Sequence, residues 1–104
     1  MERTELTAIE FAKEILRVCR EHGVDEPILF GFRARGYAWE ESDFDVLVKS
    51  DDEAYLSICE DCHYLPTLRS IDVIQDTEYL TDIFRGEVAR DGIKLSDFCK
   101  ANSL

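Results

Sequence analysis

The sequence predicts an α+β fold, a small mixed sheet flanked by helices. Three observations point there. An amphipathic helical period runs from about Leu6 to Glu21. Three short apolar or alternating runs follow, at Ile28–Phe30, Asp43–Val48 and Leu68–Gln75. Helix-capping residues and glycines separate them. The expected order is helix, strand, turn, strand, helix, strand, helix, and the 104 residues suit a single domain spanning residues 1–104.

In the first helix, Ile9, Ala12, Leu16 and Cys19 recur at helical spacing with Ile15 beside them, and Gly23 is a natural stop. His22 then reads as a residue of the helix C-terminus. Pro27 opens the fully apolar run Ile28-Leu29-Phe30, a buried strand. A glycine-bounded, arginine-rich turn follows, Gly31-Phe32-Arg33-Ala34-Arg35-Gly36. From Asp43 the chain alternates. Phe44, Val46 and Val48 face one way, and Asp43, Asp45 and Leu47 the other. Ser50-Asp51-Asp52-Glu53 has the form of a capping box for a helix running to about His63. In the third strand Ile71 and Val73 oppose Asp72 and Ile74. Asp76 or Thr77 is expected to cap a last long helix ending near Gly92, and Ile93-Lys94-Leu95 to add a short edge strand.

Composition narrows the function. Twelve basic against 23 acidic residues, a net charge of −11, disfavour broad binding to nucleic acid backbones and to anionic membranes. No run is apolar and long enough to cross a bilayer, and Met1-Glu2-Arg3-Thr4-Glu5 lacks the pattern of a signal peptide, so a cytoplasmic location is expected. Cys59-Glu60-Asp61-Cys62-His63 matches the pattern for haem attachment, but no second pair completes a zinc set. Cys59 and Cys62 at i, i+3 on a helix are expected to pack as small hydrophobes. Tyr37 and Trp39 suit either a nucleotide pocket or turn packing.

The chemistry rests on the acids. Asp43 and Asp45 share one strand face, where like charges repel and desolvation adds to the cost. A divalent cation between them offsets that cost, and Mg²⁺ favours hard oxygen ligands, water and phosphates. Asp72 offers a third carboxylate on the neighbouring strand, enough for two metal ions that serve the attacking hydroxyl and the leaving phosphate. The turn at Gly31 allows a close approach of backbone N–H groups to phosphates, and Arg33 or Arg35 could neutralise a triphosphate.

Gly31-Phe32, the ten residues Arg33 to Ser42, and Asp43-Phe44-Asp45 together resemble the signature of the minimal nucleotidyltransferases of the DNA polymerase β-like superfamily. Asp72 in Ser70-Ile71-Asp72-Val73-Ile74 matches the third family acid, and Val88-Ala89-Arg90-Asp91-Gly92-Ile93-Lys94-Leu95 is similar to how these domains close. The resemblance implies transfer of a nucleoside monophosphate, AMP from ATP, to an acceptor hydroxyl. Asp43, Asp45 and Asp72 would be the catalytic, metal-binding residues, holding two Mg²⁺ ions. Gly31, Phe32, Arg33 and Ser42 would line the nucleotide site. It further implies a HEPN-type helical protein as partner and acceptor, with this chain the antitoxin of a toxin–antitoxin module; a homo-oligomer is also compatible. One departure matters: the family has serine at the position of Phe32, which cannot donate that hydrogen bond to phosphate. The alternative is therefore a catalytically quiet module or antitoxin that acts by protein contact.

Overall fold

A computed structural model describes residues 6–36, 42–67 and 69–102, together with the backbone but not the side chain of Phe32. Tyr37, Trp39 and Leu68 lie outside these. The elements are α1 (Ala8–Glu21), β1 (Ile28–Phe30), α2 (Gly31–Arg35), β2 (Phe44–Val48), α3 (Asp52–His63), β3 (Ile71–Gln75), α4 (Asp82–Asp91), β4 (Ile93–Lys94) and α5 (Leu95–Ala101). The strands form one sheet in the order β3-β2-β1-β4. β1 is antiparallel to β2 and β4, and β2 is parallel to β3, so the sheet is mixed as expected. The parallel pair is joined by α3, the crossover that such a pair requires.

Leu29, Phe44, Val46 and Val48 are buried on one sheet face, in a core with Phe11, Ala12 and Ile15 of α1, Ile58 and Cys62 of α3, and Leu95 and Cys99 of α5. Phe44 stands at its centre, edge-on to Phe11 (ring centroids 5.3 Å apart) and Phe98 (6.2 Å). Strand parity sends Ile28, Phe30, Asp45, Leu47 and Asp72 to the other face, which α4 partly covers through an edge-to-face pair of Phe84 and Phe30 at 5.3 Å.

Several boundaries differ from the sequence reading. The turn after Gly31 is a short helix. α1 starts at Ala8, where Thr7 and Glu10 cap it reciprocally, at 3.3 Å and 2.9 Å. The α3 cap is Asp51, not Ser50: the Asp51 carboxylate accepts from Ala54 N at 2.8 Å, while the Ser50 hydroxyl donates to the Asp51 carbonyl. The helix expected after Asp76 or Thr77 begins later. Thr77 instead closes a turn, accepting from Leu80 N and Tyr79 N, and Thr81 caps α4 by accepting from Phe84 N at 3.1 Å. β4 fills the place of the expected edge strand, and α5 follows it unforeseen. His22 is the C-cap of α1, with Gly23 at φ +86° behind it. The His22 ring also reaches Asp61 on α3 at 2.7 Å, a link that spacing could not show.

Candidate functional site

The parallel register of β2 and β3 sets Asp45 directly beside Asp72, and the antiparallel register of β1 sets Phe30 on the other side of Asp45. The row Phe30, Asp45, Asp72 therefore crosses three strands on the face away from the core. Asp43 sits one residue before β2, and its Oδ1 accepts from Ser70 N at 3.3 Å, tying the start of β3 to the entry of β2.

Gly31 completes the seat. It ends β1 at φ +74°, and a Cβ there would lie 2.4 Å from Asp45 Oδ2 and 3.3 Å from Asp45 Cγ. Only glycine adopts that backbone readily and leaves space for the carboxylate. Burial pushes the Asp45 carboxyl above its ordinary range, and the nearby charges of Asp72 and then Asp43 push the same way, with a hydrogen bond to Asp72 adding to it. The structure thus sets Asp72 beside Asp45, with Asp43 near enough to act on the Asp45 charge.

Asp45 and Gly31 line a cleft of about 220 Å³ with Phe30, Arg35, Glu87, Arg90 and Asp91. The sequence reading missed the α4 residues among these. Arg90 and Asp91 lie within the run that carries the resemblance near the C-terminus, but it is tertiary packing, including Phe84 on Phe30, that brings α4 to the acids. Arg33, expected near phosphate, is turned towards Ser42 and Phe44. It is 9% exposed; its Nε and Nη2 donate to the Ser42 carbonyl at 3.2 and 2.6 Å, and its guanidinium lies 4.2 Å over the Phe44 ring. Ser42 is thereby tied to the core side of α2. The Phe32 side chain lies outside the described residues.

Among the described residues, no three His, Cys, Asp or Glu side chains gather tightly enough to enclose a metal by themselves. The acids on this side offer only carboxylate oxygens, and burial, then the neighbouring acids, disfavour the charged form of Asp45. That chemistry suits a hard cation held by one or two carboxylates with water and phosphate in the rest of its shell.

Residues 13–99 match the family described as polymerase beta, nucleotidyltransferase. The chain belongs to this nucleotidyltransferase family. Solved structures share the fold. A toxin–antitoxin complex with AMP-PNP aligns at TM-score 0.60 and 17% identity, covering 86% of this chain and 82% of that one. The toxin–antitoxin complex MntA–HpeT, carrying two Asp→Glu substitutions, aligns at 0.59 and 15%, over 86% and 82%. A Sulfolobus solfataricus protein assigned as a nucleotidyltransferase aligns at 0.50 and 21%, over 84% and 78%. Comparison with curated proteins gave no match. In this nucleotidyltransferase-family chain, Asp45 and Asp72 lie side by side on the sheet face away from the core, with Asp43 just before β2.

Proposed function

We propose that this single domain is a metal-dependent nucleotidyltransferase that moves AMP from ATP to an acceptor hydroxyl on a partner protein. The observation that carries the reading is the abreast placement of Asp45 and Asp72, with Gly31 pressed against Asp45. Asp43 and Asp45 would hold two Mg²⁺ ions, and Asp72 would complete the shell of the one beside the acceptor. Bound there, the cations supply Lewis acidity to the attacking oxygen and offset charge on the departing pyrophosphate. The chain's own part is positional. Gly31 keeps the backbone low enough for phosphate to approach the acids. The parallel register sets Asp45 beside Asp72, the carboxylates that would hold the cations.

The relatives support the nucleotide and the partner. One was solved with AMP-PNP, an ATP analogue, and both toxin–antitoxin structures pair their proteins with a toxin. The two substituted aspartates of MntA–HpeT are two positions apart, the spacing of Asp43 and Asp45. For this chain we carry over an antitoxin role in the cytoplasm, with a HEPN-type toxin as partner and acceptor.

A second reading is neutralisation by contact alone. It is favoured by the inward commitment of Arg33 and by the large apolar residues Tyr79 and Ile83, 85% and 79% exposed near the start of α4. Thermal unfolding separates the two. A ligand at about a hundred times its Kd stabilises the folded state by roughly 2.7 kcal/mol, on the order of 10 °C for a domain this small. Mg²⁺ with ATP should produce such a rise in wild type, Asp43→Asn and Asp45→Asn should each remove it, and Phe32→Ser should enlarge it. A folded wild type that gives no rise favours contact alone.

A further inference from the structure

We infer that Arg90 and Arg35, rather than Arg33, form the cationic wall that receives the β- and γ-phosphates of the nucleotide; the inference rests on the nucleotidyltransferase reading above. The cleft that opens beside Asp45 and Gly31 is flanked by Arg35 at the end of α2 and by Arg90 in the last turn of α4. Two arginines from different helices thus line one volume together with Asp45 and Gly31. At about 220 Å³ the volume has room for a phosphate chain.

The lining is net negative by charge count, so an anion enters only together with the cations assigned to Asp45. The cleft contains Asp45, Glu87 and Asp91 against Arg35 and Arg90. Asp45 is the group assigned to the cations, and Glu87 and Asp91 are the other acids of the lining. Arg90 spans its neighbour, with Nε 3.2 Å from both Asp91 oxygens and Nη2 3.0 Å from Oδ2. The Arg90 side chain is 67% exposed, so this pair between adjacent residues is screened by water and easily exchanged for a stronger partner. Arg35 also acts on Asp91, holding its carboxyl below the ordinary range after the larger influence of Arg90. Asp91 is therefore bonded to Arg90 and lies within the field of Arg35. A phosphate, which offers bidentate oxygens to a planar guanidinium, can replace it there. Arg33 cannot take this role without leaving the Ser42 carbonyl and the face of Phe44.

The test is a set of calorimetric titrations of ATP, ADP and AMP in Mg²⁺ on wild type, Arg90→Ala, Arg90→Lys and Arg35→Ala. A wall for the outer phosphates predicts that Arg90→Ala weakens ATP about tenfold or more and leaves AMP within about twofold. Arg35→Ala should act in the same direction, and Arg90→Lys should recover part of the loss, because lysine keeps the charge without the fork. Circular dichroism confirms that each variant is folded. If Arg90→Ala lowers ATP and AMP affinity equally, or neither, while wild type binds ATP, the arginine wall is wrong and the nucleotidyltransferase reading stands. If folded wild type binds no nucleotide, both fail.

Discussion

Gly31 and Asp45 compete for one volume, and the balance between them governs the site at the residue scale. A methyl group at Gly31 meets Asp45 Oδ2 at 2.4 Å and requires a backbone angle that alanine disfavours. Gly31→Ala should cost about 1–3 kcal/mol in chemical denaturation and displace the carboxylate, so that Mg²⁺–ATP stabilisation is lost with it. Asp45 itself is a stability defect awaiting a cation. Its folded-state pKa is raised, so its contribution is most favourable below the ordinary carboxylate value and is lost as pH rises through the raised one. Asp45→Asn should therefore raise the melting temperature at neutral pH without divalent ions. The gain should vanish near pH 3, where the native carboxyl is already protonated in both states. A gain that is equal at both pH values would contradict this account. The thiols behave oppositely to reactive cysteines. Burial pushes Cys19 and Cys62 up to about 12, and nearby Cys59 is only half-buried. Iodoacetamide at pH 8 should label Cys59 first and reach Cys19 and Cys62 only on unfolding.

At the scale of elements, capping chemistry and strand parity were the readable signals. The alternation from Asp43 to Val48 gave the correct faces because one face is fully buried, and a slip of one residue would have exposed Phe44, Val46 and Val48. Gly23 marked the end of α1 for the same local reason. What local pattern could not reveal was a choice among equivalent signals. Asp76, Thr77 and Thr81 are all competent caps, and the turn closed by Thr77 decided in favour of Thr81. Thr81→Ala should destabilise the fold by about 0.5–2 kcal/mol, whereas Thr77→Ala should cost less, and comparing their denaturation midpoints checks the assignment. Arg33 shows the other gap. An arginine beside a glycine turn reads as a phosphate ligand until tertiary structure places an aromatic ring under it. The cleft residues of α4 were likewise invisible as partners of Asp45, because Phe84 on Phe30 brings them there across the fold.

Across the whole molecule, a core built on one sheet face leaves the opposite face free to carry charge. Phe44 joins α1, α5 and Arg33, so Phe44→Ala should cost about 3–5 kcal/mol, a large part of what so small a domain possesses. Its immediate strand neighbours, Asp43 and Asp45, are the proposed catalytic groups, so the strand that anchors the core also aims the acids. A net charge of −11 suits the proposed reading, in which an anionic ligand arrives with cations and the partner is a protein, not a bare nucleic acid. The central claim is that these acids transfer a nucleotide. The most direct measurement is incubation of the purified chain with α-labelled ATP, Mg²⁺ and the HEPN-type toxin proposed as its partner, followed by counting label covalently attached to that toxin. We expect label with wild type, none after chelation of Mg²⁺, and a loss of at least a hundredfold with Asp45→Asn. Wild type that forms a stable complex with the toxin yet attaches no label, or an Asp45→Asn protein that labels it as fast as wild type, would contradict the account.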